Sequence, residues 1–278
     1  MAINTTFKDL LDAGVHFGSP SAKWHPLMKP YIYGEVNRLH LVNLRETLKG
    51  LIRATHYLEN LTASGKKVLF VGTSRQGREI VRTEAKRAGG FFVVHRWLGG
   101  TLTNMNTMRK RIARLNELEG LEASGEIEKF SKKMISNLTR EKKKVFRNFE
   151  GIRDMEVAPG AMVIVDPKRE ANAVAEAIKL NVPIVALTDT DTDPTPIDFI
   201  VPGNDDSQRS IQLIVGLLAD AVELGSKKAA ANAVAINAAR QKEREGGRRR
   251  ERGKAPEINV EVPANLAELG AFTMPDEA

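Results

Sequence analysis

The 278-residue chain has no cysteine, which excludes disulfides, thiolate zinc sites and cysteine nucleophiles, and fits a reducing compartment. Aromatics are scarce, at 5% of residues, so the core must be built from Val, Ile, Leu and Ala. No run approaches the roughly 18 apolar residues of a membrane span, and the N-terminus lacks the basic start and apolar stretch of a signal peptide. The expectation is therefore a cytoplasmic protein without membrane contact. Catalytic signatures are also missing. The histidines at 16, 25, 40, 56 and 95 fall in unrelated contexts, none in H-E-x-x-H spacing, and there is no G-x-S-x-G nucleophile elbow. Nothing in the sequence argues for an enzyme.

What is present is positive charge, unevenly spread. The net charge is +7 and the isoelectric point about 9.5. Residues 102–153 hold 13 Lys plus Arg against 7 Asp plus Glu, or +6, nearly the whole excess. A solubility device mixes its signs over the surface, so charge gathered in one stretch reads as the footprint of an anionic partner.

Short apolar runs predict the body. Lys67–Gly72, Phe91–Val94, Ala161–Asp166, Ile184–Thr188 and Phe199–Val201 read as buried strands. Helical pattern from Arg75 to Ala88, from Arg169 to Leu180 and from about Asp205 to Leu224 separates or follows them. The fold class is α/β: a mainly parallel five-stranded sheet in an α/β/α sandwich, Rossmann-like or flavodoxin-like. Residues 1–101 and 154–225 form this globular domain, with an N-terminal arm over 1–35. Residues 102–153 interrupt it. Leu102, Met105, Ile112, Leu115, Leu118 and Leu121 make one helical stripe. Ile127, Phe130, Met134, Leu138, Val145 and Phe149 make another beyond Ala123-Ser124-Gly125, so the insert reads as a protruding coiled-coil hairpin. Residues 226–278 read as a charged tail, helical at first and flexible afterwards.

The candidate RNA-binding residues are Lys23, Trp24, His25 and Lys29 in a loop mixing cations with rings, and Arg96 beside a glycine hinge. On the insert they are Arg109, Lys110, Arg111, Arg114, Lys132, Lys133, Lys142, Lys143 and Lys144. Cations neutralise phosphates, and Trp or His stacks on an unpaired base. The plainer readings are that Trp24 anchors the arm on the core, and that the insert's cations form a solvated helical face paired with Glu117, Glu119 and Glu141. The clusters 109–111 and 142–144 have few acidic neighbours in sequence, which favours the functional reading.

Two further features compete. Gly72-Thr73-Ser74-Arg75-Gln76-Gly77-Arg78-Glu79 has the glycine spacing of a phosphate loop, which leaves a nucleotide-binding α/β enzyme using loop 72–79 as the alternative. Against it, Arg78 stands where such loops have lysine and Glu79 where they have a hydroxyl, and a carboxylate there repels phosphate. Asp189, Asp205 and Asp206, with His16, are the candidates for an oxygen-rich metal site, although helix capping and loop shaping explain the aspartates more simply. No cofactor and no resident metal are expected.

Several long segments in order resemble one family. They are Ala13-Gly14-Val15-His16-Phe17-Gly18, Met28-Lys29-Pro30-Tyr31-Ile32-Tyr33-Gly34, Leu69-Phe70-Val71-Gly72-Thr73, Phe91 through Asn104, and Asp198-Phe199-Ile200-Val201-Pro202-Gly203-Asn204-Asp205-Asp206. From about residue 5 to 225 the chain is similar to the S-two proteins of the bacterial small (30S) ribosomal subunit. The resemblance implies an α/β body with a protruding coiled coil and a structural, non-catalytic role. It also implies binding to 16S ribosomal RNA at the neck between head and body, and contact with neighbouring ribosomal proteins, in many bacteria including the messenger-binding S-one protein. No homo-oligomer is expected. One departure is visible: Ser19-Pro20 stands where the family commonly has His-Gln.

Overall fold

The computed structural model describes residues 5–252. Its body is a five-stranded parallel sheet of β4 (Val68–Val71), β5 (Phe91–Val93), β6 (Ala161–Val165), β7 (Ile184–Thr188) and β8 (Phe199–Pro202), in the spatial order β5-β4-β6-β7-β8. All neighbours pair parallel, Phe70 opposite Phe92 and Val163, and Ala186 opposite Ile200. The strands read as unbroken apolar runs because both faces are covered. Val68, Phe70, Val163 and Val165 point into one core, while Leu69, Val71, Met162 and Ile164 point into the other.

The first core is closed by α2 (Leu44–Ala63), α3 (Arg78–Arg87) and α7 (Gln208–Arg252), through Leu51, Leu58, Val81, Ile211, Ile214 and Leu218. The second is closed by α6 (Ala171–Lys179) and by α4 (Met105–Ala123) with the exit of α5 (Lys132–Phe149), through Ala173, Ala177, Met108, Phe149 and Ile152. The two inserted helices are therefore rooted in the core by apolar burial. Between them Gly125 takes φ +70°, a left-handed turn, and a single 3-10 turn over Glu126–Lys129 leads to Ser131, whose hydroxyl accepts the amide of Met134 as an N-cap.

The N-terminal region departs from the expected loop-like arm. After α1 (Phe7–Asp12), β1 (Phe17–Pro20), β2 (Ile32–Val36) and β3 (Leu39–Val42) form a separate antiparallel sheet in the order β1-β3-β2. Asn37 and Arg38, at φ +52° and +63°, make the two-residue turn whose twist suits a hairpin. The last helix runs on past Leu224 to Arg252 through the Ala-rich sequence from Ala229. The chain groups into one compact unit ending at Ala231 and a second beginning at Asn232. Of the tail expected over 226–278, helical at first and flexible afterwards, the part beyond 252 lies outside the described residues. Among the described residues no helix is long and apolar enough to cross a membrane.

Candidate nucleic-acid interface

The inserted helices carry the densest set of candidate residues, and their pairing decides which cations are free. On α4, Arg114 is held between Glu117 (3.1 Å) and Glu141 of α5 (3.3 Å). On α5, Lys142 is paired with Glu122 across the helices. Arg109 donates to the carbonyl of Glu156 at 2.6 Å, and Arg153 meets Glu119 at 2.7 Å. The clusters 109–111 and 142–144 are thus divided between cations bonded within the protein and cations without acidic partners among the described residues. Sequence neighbours cannot show an acidic partner on the other helix, and Glu122 lies 20 positions from Lys142. Lys110, Arg111, Lys132, Lys133, Lys143 and Lys144 are exposed and have no acidic partner among the described residues, and Arg140 and Arg147 share that state. Exposed Phe130, Met134 and Phe146 lie among them.

The base of the pair is fixed by a residue that nothing in the sequence singles out. Glu176 of α6, 8% exposed, accepts from the Trp97 indole (3.0 Å) and from the backbone amides of Gly100 (2.7 Å), Leu102 (2.9 Å) and Thr103 (3.1 Å). Burial pushes its pKa up, but the donors together outweigh that and hold the carboxyl below its ordinary value. A single glutamate on an Ala-rich helix carries no local signal of such a role. Arg96 lies in the loop so fixed and is exposed.

The N-terminal candidates separate. Lys23 and Lys29 are exposed, whereas Trp24 is half-buried with its ring 5.3 Å from that of buried His40. His25 caps the short 3-10 turn Pro26–Tyr31 through Nδ1, and its amide donates to the carbonyl of Thr190 at 2.8 Å. The His25 amide therefore ties the arm to the body, and Trp24 packs on the N-terminal sheet.

Loop 72–79 lies at the crevice between β4 and β6, where the strand order reverses and where sheets of this kind bind ligands. Here the crevice holds a side chain of the protein itself. Glu170, 3% exposed, accepts from the Thr73 amide at 3.2 Å and from the Thr73 hydroxyl. Ser74 Oγ accepts the Gly77 amide at 3.1 Å, and Arg78 donates to the carbonyls of Val94 (2.8 Å) and Thr73 (3.3 Å). The Gly72, Thr73, Gly77 and Arg78 amides and the Arg78 guanidinium are spent on the fold, and the Glu170 side chain fills the crevice. The nucleotide-enzyme alternative has no site at this loop.

At the carboxyl ends of β6, β7 and β8, an open hollow of about 250 Å³ gathers Asp166, Asp189, Asp191, Asp205 and Asp206 with Ser19, Lys168 and Arg169. Burial, then the neighbouring Asp166 and Asp189, push Asp205 up to about 9, and burial also raises Asp166 and Asp189. Asp189 is satisfied by Ser19, whose amide (3.0 Å) and hydroxyl (2.6 Å) both donate to it. The Ser19-Pro20 departure thus supplies an internal bond. Asn204 accepts the amides of Asp206 (2.9 Å) and Ser207 (3.0 Å) ahead of α7. His16 does not line this hollow. Its ring lies 4.0 Å from Phe17, and burial lowers its pKa. Among the described residues no group of three or more His, Cys, Asp or Glu is placed to hold a metal ion.

Residues 10–225 match the family described as Ribosomal protein S2. The small ribosomal subunit protein uS2 of Rhodopirellula baltica is 51% identical over 222 residues, covering 80% of this chain and 85% of that protein. The small ribosomal subunit protein uS2 of Chloroflexus aurantiacus is 44% identical over 223 residues, covering 80% of this chain and 94% of that protein.

Proposed function

The chain belongs to the ribosomal protein S2 family and is a structural constituent of the small ribosomal subunit, and from that premise we propose that its inserted helices grip ribosomal RNA. The family is structural, not enzymatic, and membership brings association with ribosomal RNA and with other ribosomal proteins. In the proposed division of labour, residues 1–101 and 154–225 are the α/β body and residues 102–153 are a coiled-coil insert that reaches 16S RNA.

The observation that carries this reading is the set of unpaired cations on α4 and α5. Lys110, Arg111, Lys132, Lys133, Lys143 and Lys144 are exposed without acidic partners among the described residues, while the glutamates of the same helices are largely taken up by Arg114, Lys142 and Arg153. Phosphate contacts of this kind supply sequence-independent affinity, and the A-form shape of RNA, not its base edges, sets the register. Arg96, Lys23 and Lys29 extend the cationic surface onto the body.

The messenger-binding S-one protein is a further partner we propose on the strength of the sequence resemblance alone. Sedimentation of tagged protein on a sucrose gradient, at moderate and high salt, tests the reading. Co-migration with small subunits that resists moderate salt is the expected result. Protein left at the top of the gradient, in lysates with intact ribosomes, would overturn it. Affinity capture from the small-subunit fraction, read for the S-one protein, tests that partner separately.

A further inference from the structure

Where α5 returns to the body, charge gathers around a histidine that RNA binding by the inserted helices leaves without a role. His95 follows β5 and is half-buried. From α3, Arg82 Nη2 lies 3.2 Å from His95 Nε2, and Arg78 is held beside it by its bond to the Val94 carbonyl. From α5, the charge of Arg147 reaches the same ring, and Arg147 is exposed without an acidic partner among the described residues. Glu79 and Glu150 are the carboxylates of this cluster. Glu150 is shared by Arg82 (3.1 Å) and Lys86 (2.8 Å), and Glu79 lies 3.4 Å from Arg82. Arg78, Arg82 and Arg147 thus act on one imidazole against Glu79, and among the described residues Arg82 Nε is buried with no partner.

We propose that His95, with Arg82 and Arg147, seats a backbone phosphate of the bound RNA at the root of the inserted helices. The proposal rests on the RNA-binding reading and deepens it, because the seat makes attachment proton-linked. In the free protein burial, then Arg78, Arg82 and Arg147, lower the His95 pKa, so the ring is neutral at pH 7 and Nε2 accepts from Arg82. A phosphate placed among these cations reverses that balance. Its charge favours the imidazolium, which gives up the bond from Arg82 and leaves one Nη2 proton of that guanidinium for the phosphate, while Glu150 and Glu79 hold the rest of it. Binding therefore takes up a proton, and affinity rises as pH falls through the pKa of the bound state.

The test uses the full-length protein and small subunits stripped of it, by sedimentation binding at pH 6.0 and 7.5 and constant ionic strength. Wild type is expected to bind about threefold more tightly at the lower pH, the size of a modest proton linkage. His95→Gln is expected to bind more weakly than wild type at both pH values and to lose the difference between them, and Arg147→Ala to weaken binding at both pH values. NMR titration of the wild-type His95 ring, with and without RNA, needs no variant and should show a raised pKa in the complex. An unchanged ring titration, or a pH dependence that survives His95→Gln, overturns the seat while leaving RNA binding intact. Failure of wild type to rejoin the stripped subunits at any pH overturns both readings.

Discussion

The indole nitrogen of Trp97 and the carboxylate of Glu176 are joined by a 3.0 Å hydrogen bond across 79 positions of sequence. The same carboxylate receives three backbone amides of the loop that launches α4, so one side chain fixes where the inserted helices leave the body. Replacing Glu176 by Ala leaves several buried donors unpaired. A loss of about 2–4 kcal/mol in urea unfolding is expected, with faster hydrogen exchange of the 100–103 amides. Because the folded-state pKa is held below the ordinary value, this contribution is present above the unfolded pKa. It is lost as pH falls through the folded one. Stability of wild type and Glu176→Ala should therefore converge in acid, and parallel curves would contradict the role.

Asp205 works in the opposite sense. Its folded pKa of about 9 lies far above the ordinary 3.8, so its effect on stability is fully favourable below 3.8 and is lost as pH rises towards 9. Asp205→Asn removes the need to keep a buried carboxyl protonated. The variant is expected to melt roughly 4 °C or more above wild type at pH 8 and close to it at pH 4. Equal melting temperatures at pH 8 would mean that the hollow is more hydrated than its burial implies.

The parts of this protein legible in its sequence are those buried on both sides. Val68–Val71, Ala161–Val165 and Ile184–Thr188 announce themselves because nearly every side chain is apolar. The N-terminal sheet does not, since Phe17–Pro20 and Ile32–Val36 have no fully buried residue and include Gly and Pro. In α2 the inward stripe Thr47, Leu51, Ala54, Leu58 is diluted by a polar and a small member. The cationic footprint is legible as composition, but its division into free and paired charges is not, because the partners lie on different helices. Glu170 and Glu176 illustrate the same limit. Each is an ordinary glutamate until the fold delivers its donors from 70 to 100 positions away.

Gly151 marks a second point where the insert is bound to the sheet. A Cβ there would lie 2.1 Å from the Phe92 carbonyl oxygen and 2.4 Å from its ring, so the return of α5 onto β5 depends on an absent side chain. Backbone cannot move aside as a flexible side chain does. Gly151→Ala is expected to cost more than about 2 kcal/mol, whereas Gly120→Ala, at an open position inside α4, is expected to stabilise by about 0.5–1 kcal/mol. Comparable unfolding midpoints for the two variants would refute the close approach.

The division among the cations gives the most direct check on the interface. Lys143 and Lys144 are exposed and without acidic partners among the described residues, whereas Lys142 is bound to Glu122. Every phosphate that a variant no longer neutralises should lower the magnitude of the log-affinity against log-salt slope by just under about one unit. The double change Lys143→Ala, Lys144→Ala is expected to flatten the slope by roughly 1–2 and to weaken binding uniformly across RNA sequences. Lys142→Ala should leave the slope nearly unchanged, because that charge already serves Glu122. If Lys142→Ala flattened the slope as much as the double change, the cross-helix pair would have to open on binding. If neither did, this face of α5 would belong to protein contact or to solvent.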